Sequence, residues 1–284
     1  MRNIIDFHTH TFPDKIAGKV KGKLQAMSGT PAYTDMTESA LAASMKEADI
    51  RFSVTLPVMT SPEQVVKLNS LAIEGMKHYE ETGLITFGGM HPDFADYKAE
   101  LKRLSENGVK GIKIHPAYQG VDLDDIRFMN MIDAASEEGL IVLTHGGPDI
   151  GYPGHDYASV EMSLKVIDTV HPEKFVLAHM GSWKEWDSVK KYLAGAKVYL
   201  DTAFTLDRYE ILEGAKWTDE DAKMLTDEDF ISLVRAHGTD QILFATDSPW
   251  SDQKTYVSII DRMDLSVKEK EDIFYHNAKK LLNI

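Results

Sequence analysis

The 284-residue chain contains no cysteine, which excludes disulfides and thiolate metal sites together. No apolar run approaches the ~18 residues that a membrane span needs. The opening "MRNIIDFHTH" lacks the apolar stretch and cleavage site of a secretory signal. Positive charge is scarce too: 31 Lys and Arg stand against 45 Asp and Glu, a formal charge of −14. A nucleic acid or an anionic membrane surface calls for a basic footprint that is missing. The expectation is a cytoplasmic protein whose partner is a small molecule. Any metal site must be built from His, Asp, Glu or a modified Lys.

Two further absences concern architecture. No Pro/Gly/Ser-rich linker and no low-complexity segment divide the chain, so 1–284 reads as one domain. What is present is a repeat of short β-rich runs, each followed by a helical stretch. The runs are "NIIDFHTH" (3–10), "RFSVTLPV" (51–58), "LITFGGMH" (84–91), "KGIKIHP" (110–116), "LIVLTHGG" (140–147), "KFVLAHMG" (174–181), "KVYLDTAF" (197–204) and "QILFATDSP" (241–249). Eight strand-helix repeats at this length favour an α/β fold of the single (β/α)8 TIM-barrel type. The rival, an open doubly wound sheet, usually carries a Gly-rich phosphate turn after its first strand, where this chain has "HTHTFPD".

Helix punctuation fits the repeat. Ser61-Pro62-Glu63-Gln64 has the signature of a helix start running toward Glu81, and Ser266 with Glu269 that of a capping box. Gly83, Gly108, Gly139 and Gly238 each follow a helical stretch, where a left-handed C-cap needs no Cβ. The connection 203–240 is long and acidic, and is expected to carry an extra loop or helix over the barrel mouth. His78, His171, His237 and His276 fall within or at the ends of helices, where surface or C-cap roles are the default.

The other histidines gather at strand ends. His10 closes the first strand, His91 the third, His115 the fourth, His145 the fifth and His179 the sixth, and Asp247 closes the eighth. In a (β/α)8 barrel those ends converge on one face, so residues far apart in sequence meet in one pocket. His8 and His10 share a strand face because side chains alternate with period two. With His145 and Asp247 they make an N/O ligand set suited to one Zn²⁺, or to Mn²⁺ or Fe²⁺. Zinc lowers the pKa of its water to about 7. The bland alternatives are hydrogen-bonded barrel-interior histidines and, for Asp247, a helix cap. His179 is open between a second-metal ligand, a catalytic acid or base, and a substrate hydrogen-bonder. His91 and His115 precede proline and also suit turns. Lys113, two residues before His115, faces inward as a carboxylate binder, a structural ion pair or, if carboxylated, a bridge between two metals.

The set "DFHTH", "GIKIHP", "LTHGG", "LAHMG" and "FATDSPW", closing with "NAKKLL", resembles the amidohydrolase superfamily. Closest is its branch of lactonases and aminocarboxymuconate-semialdehyde-type decarboxylases. The likeness runs from Asp6 to about Leu282 and implies a TIM barrel with a divalent metal, usually zinc. By position it puts metal ligands on His8, His10 and His145, a ligand and proton shuttle on Asp247, and a second-metal or substrate role on His179. The related metal-dependent deoxyribonucleases carry a metal-binding Glu on strand four, where this chain has "GIKIHP"; that counts against a nuclease and favours a single metal.

The leading expectation is a metal-dependent hydrolase of a lactone- or amide-type C–O or C–N bond. Asp247 would move the water proton and His179 would steady the developing negative charge. The alternatives are a decarboxylase of a small unsaturated or aromatic acid, a deoxyribonuclease, and a non-catalytic metal-binding barrel. Lys113, His115, His91, Arg208 and Trp183 are the candidate substrate contacts. The Gly-rich stretch 146–157 and the Trp183/Trp186 segment suit a small, partly planar molecule, and the loop insertions leave room for a homodimer.

Overall fold

The predicted runs become strands, each shorter than its apolar pattern. In the computed structural model, which describes residues 2–284, they are β1 (Ile5–Thr9), β2 (Phe52–Thr55), β3 (Leu84–Thr86), β4 (Gly88–Gly89), β5 (Gly111–Ile114), β6 (Ile141–Thr144), β7 (Phe175–Leu177), β8 (Tyr199–Asp201) and β9 (Ile242–Leu243). The third predicted strand is split at Phe87 into β3 and β4, while Phe87 N still donates to Thr55 O at 3.0 Å. All ladders are parallel, in the order β1-β2-β3 and β4 through β9. The last strand returns to the first: Phe7 N donates to Phe244 O at 2.8 Å, Asp247 N to His8 O at 2.8 Å and His10 N to Ser248 O at 2.7 Å. The parallel strands thus wind into the expected α/β TIM barrel.

Strand shortening has a functional meaning. Ladder pairing stops before His10, His91, His115, His145, His179 and Asp247, so these residues lie where the backbone leaves the sheet at its C-terminal end. The strands themselves are buried on both faces, as sequences such as "IVLT" require. One apolar cluster, drawn from strands and helices together, runs from Ile4 to Leu282. Within it Phe7 meets Phe87 edge-to-face, with ring centroids 5.9 Å apart, a geometry worth about 0.5–1.5 kcal/mol beyond simple burial.

Side-chain caps set the starts of several outer helices. Ser159 accepts from Met162 N, Thr226 from Asp229 N and Asp252 from Thr255 N, each worth about 1 kcal/mol. The Ser266–Glu269 capping box forms as read. Ser61 behaves differently: Pro62–Gln64 is a short 3-10 turn before the helix Val65–Met76, and Ser61 makes no side-chain cap. Instead Gln64 Oε1 reaches back to accept from Thr60 N at 2.8 Å. Gly83, Gly108 and Gly139 adopt left-handed φ of 75°, 79° and 68°; Gly238, at φ 114° and ψ 117°, does not.

The long connection after β8 is an irregular loop up to the helix Asp227–His237. It is tied to the end of the helix Asp14–Ser28: Leu212 N donates to Gly29 O at 2.8 Å and Trp217 Nε1 to Ser28 O at 2.6 Å. Phe204 and Tyr209 from this loop pack with Trp183 in a small separate cluster beside the mouth.

Candidate metal centre

His8 of β1 and His10 just past its end meet at the mouth, His8 Nε2 lying 3.1 Å from His10 Nε2. Asp247 brings Oδ1 to 3.1 Å from His10 Nε2 and 3.5 Å from His8 Nε2. The far side of each ring is already committed. His10 Nδ1 is 2.8 Å from Leu56 O, which only accepts, so this nitrogen donates. His8 Nδ1 is 2.8 Å from Asp201 Oδ2 and donates likewise. Both Nε2 atoms therefore present lone pairs to one another and to a carboxylate oxygen. Three acceptors this close repel one another unless positive charge stands among them, from a proton or the Lys113 ammonium in the bare protein or from a metal ion. This donor set fits a divalent cation: neutral imidazoles and one carboxylate, each backed by its own hydrogen bond.

Charge states agree with that reading. Burial drives the His8 imidazole well below its usual pKa. Burial alone would raise Asp247, but the neighbouring His8 and His10 overcome it and hold the carboxyl below the ordinary carboxylate range. Asp247 adopts φ 62° and His179 φ 61°, a sparsely populated backbone region. Hydrogen bonds hold both in place: Asp247 N donates to His8 O at 2.8 Å and His179 N to Asp201 Oδ1 at 2.9 Å.

A second group of side chains faces the first. His145 Nδ1 lies 3.0 Å from His179 Nε2, while His179 Nδ1 is bonded to Ala203 O at 2.8 Å and His145 Nε2 to Pro148 O at 3.2 Å. By the same reasoning these two nitrogens also confront each other with lone pairs. His179 Nε2 is thus an acceptor, better suited to binding a cation or taking a proton than to donating to an oxyanion. Burial lowers its pKa to about 4. His115 stacks on His145 at 4.5 Å and lies 3.5 Å from Asp149 Oδ2. Two trios bring ligand atoms within 4.8 Å of one another: His8, His10 and Asp247, and His115, His145 and Asp149. His145, read from sequence as the third ligand of the first ion, is turned toward His179 and Asp149, because its bond to Pro148 O fixes the ring.

Lys113 stands between the groups. It is 1% exposed, its Nζ is 3.4 Å from His8 Nε2, and burial lowers its pKa to about 8. Its inward reach toward the site is therefore as read. The glycines of "LTHGG" have a steric reason. A Cβ on Gly146 would lie 2.7 Å from Gly181 O, and one on Gly147, at φ +80°, would lie 2.5 Å from Trp183 N. The loop after β6 thus packs directly on the turn that carries His179.

These side chains line a cavity of about 650 Å³ that includes His8, His10, Lys113, His145, His179 and Asp247. His115 and Trp183 also line it. Two candidate substrate contacts do not. His91 is turned into its own loop, its Nδ1 accepting from Asp93 N at 3.2 Å, the turn chemistry that "HP" suggested. Arg208 is paired with Asp219 on the surface, beside a separate small pocket with Tyr33 and Trp250. His237 departs from its surface expectation: it is buried, with Nε2 bonded to Val198 O at 2.8 Å.

Sequence reading missed three acids. Asp201 anchors His8 and the His179 backbone; its one available signal was an acid at the end of the predicted seventh strand. Asp6 accepts from Thr246 Oγ1 at 2.6 Å and Gln253 Nε2 at 2.7 Å, tying β1 to the segment that carries Asp247, while burial raises its pKa to about 7. Asp149 sits in the loop after β6, and burial raises it to about 6 against the bond from Gly151 N at 2.7 Å.

With this geometry in hand, the sequence comparison is decisive: the amidohydrolase family profile matches residues 5–284. The chain belongs to the amidohydrolase family. Among curated proteins none matches it. Solved structures resemble it over their full length. A TIM-barrel protein from Bordetella bronchiseptica is 16% identical with a TM-score of 0.70, covering 99% of this chain and 98% of that one. 5-Carboxyvanillate decarboxylase from Sphingomonas paucimobilis is 15% identical with a TM-score of 0.69, covering 99% of each. Dihydroxybenzoic acid decarboxylase from Polaromonas sp. JS666, with bound manganese and the inhibitor 2-nitroresorcinol, is 15% identical with a TM-score of 0.69, covering 100% of this chain and 97% of that one. At such identities the likeness is one of fold.

Proposed function

We propose that this amidohydrolase-family protein is a metal-dependent hydrolase of a C–O or C–N bond in a small lactone-, ester- or amide-type substrate. The observation that carries the reading is the convergence of the His8 and His10 lone pairs on ionised Asp247. His8, His10 and Asp247, with His145 and His179 alongside, would hold one divalent ion, zinc by donor type and manganese by analogy with the manganese-containing relative. When bound, such an ion acidifies a water and polarises a carbonyl.

The side chains supply the rest. Asp247, ionised at neutral pH, accepts the proton of the attacking water and returns it to the leaving group. His179 takes up a proton or a second coordination role at Nε2 while Ala203 O keeps its ring in place. Lys113, buried and largely protonated at neutral pH, places positive charge where the carbonyl oxygen gains negative charge. Trp183 and the aromatic residues beside it exclude water.

A second reading, decarboxylation of a small aromatic acid, is favoured by the fold relatives, two of which are named for that reaction. Lys113 and His115 would then receive the carboxylate, between Tyr118 and Trp183. The test loads the protein with zinc or manganese and follows acid release from a panel of lactones, esters and amides, and CO₂ release from hydroxybenzoates. Turnover in the first set that is lost in Asp247→Asn supports the hydrolase. CO₂ release alone replaces it with the decarboxylase.

A further inference from the structure

The helix Asp14–Ser28 is poorly buried for its length. Over 15 residues only Ala17 and Ser28 are buried. Its large apolar side chains are not scattered: Ile16, Val20, Leu24 and Met27 recur at intervals of four, four and three, which places them on one face. Among the described residues, none of the four belongs to either hydrophobic cluster or packs against one. All four line the cavity that holds the metal centre. Leu68 and Leu71 of the helix Val65–Met76 line the same cavity. Ile16 and Leu71 are 46% and 55% exposed, among the largest such values for apolar side chains in this protein. An amphipathic helix in a globular protein normally owes its stability to packing of that face; here the face borders open cavity.

The cavity thus has two regions of different chemistry. Around the imidazoles the walls are aromatic, with Tyr118, Tyr152 and Trp183. Toward the surface they are aliphatic, and the stripe from Ile16 to Met27 is about 16 Å long at 1.5 Å per residue. A single aromatic ring at the metal centre would leave that length unfilled. Lys23 and Lys67 also line the cavity and are exposed, so the outer end offers positive charge.

We propose that the outer half is an acyl-chain site: the substrate carries an aliphatic chain that lies between the Ile16–Val20–Leu24–Met27 stripe and Leu68/Leu71, with its reacting group at the imidazoles. This rests on the hydrolase reading for the reaction but not for the binding. The substrate class is an aliphatic acyl ester, amide or alkyl lactone. Each added methylene removes about the same area from water, so affinity rises roughly three- to fourfold per CH₂ until the stripe is covered.

The experiment measures binding of straight-chain carboxylates from four to twelve carbons, and of benzoate and phenylpropanoate, to the zinc-loaded protein by calorimetry. Leu24→Asp and Leu71→Asp, one on each wall and both checked for native circular dichroism, are measured beside it. The expected result is a steady gain per methylene that flattens in either variant. A flat series, or aromatic acids bound more tightly than alkyl acids of equal carbon number, overturns the proposal. So does a wild-type dimer in sedimentation that Leu24→Asp dissociates, because the stripe would then be a contact between copies. Chain-dependent binding with no turnover of the matching acyl esters upholds the chain site and overturns only the proposed reaction.

Discussion

The two trios at the cavity floor use the same residue types and are built in opposite ways. His8, His10 and Asp247 come from β1 and the segments that follow β1 and β9, and the outer nitrogen of each ring is fixed, by Asp201 or by Leu56 O. His115, His145 and Asp149 come from strand ends and a loop, and His115 Nδ1 is buried without a hydrogen-bond partner. The carboxylates diverge accordingly: Asp247 is held below its ordinary pKa and Asp149 is lifted to about 6. Two acids pushed apart by their surroundings are suited to different tasks. On the proposed reading the first trio holds the cation, and Asp149 of the second is the acid placed to exchange protons.

The largest effect should fall on the first trio. Asp247→Asn is expected to lower turnover by roughly 10²–10⁴-fold, the range of a lost acid–base group, measured as kcat on the best substrate from the panel. Parity with wild type would remove Asp247 from the chemistry. Asp201→Asn probes the support of that trio. Loss of the carboxylate that orients His8 should weaken metal affinity about 10- to 100-fold, read by competition with a chelating dye. An unchanged affinity would show that the ring needs no such anchor.

The second trio should respond in stability. Asp149 binds a proton more tightly folded than unfolded, about 6 against about 3.9. Between those values the folded state holds more protons, so stability falls as pH rises from about 4 through about 6. Above that the full penalty is present, at most about 3 kcal/mol for a shift of this size. Metal-free Asp149→Asn should therefore melt higher than wild type at pH 7.5, with the gap closing near pH 4. A variant that melts lower at pH 7.5 would contradict the assigned strain. The smallest effect is expected from His115→Phe. It keeps the stack on His145 and removes a buried unpaired nitrogen, a feature that costs about 1–3 kcal/mol. The lost contact with Asp149 offsets this, so Tm should move by only a few degrees and metal content should not change. Loss of bound metal would make His115 a ligand as well.

Much of this was legible in the chain because strand-end histidines carry both a period-two pattern and a position. His8 and His10 could be assigned to one face from their spacing alone, and their meeting with Asp247 followed from barrel closure. Asp149 was not legible, since it sits in a loop, and loop conformation carries no periodicity. Arg208 misled for a related reason: a cation in an acidic loop finds a local partner, here Asp219, before a distant site. The third strand read as continuous because "LITFGG" contains no charged residue or proline to interrupt it, whereas the ladder breaks at Phe87 between its two neighbours.

The central claim is that His8 and His10 converge on a cation. Metal content of protein purified without a chelator or a histidine tag, beside a His8→Ala/His10→Ala double variant, tests it most directly. The account predicts about one equivalent of zinc or manganese in the wild type and none in the variant; two equivalents would direct attention to the second trio or to a carboxylated Lys113 as a bridge. A wild type that takes up no metal even after incubation with either ion would contradict it.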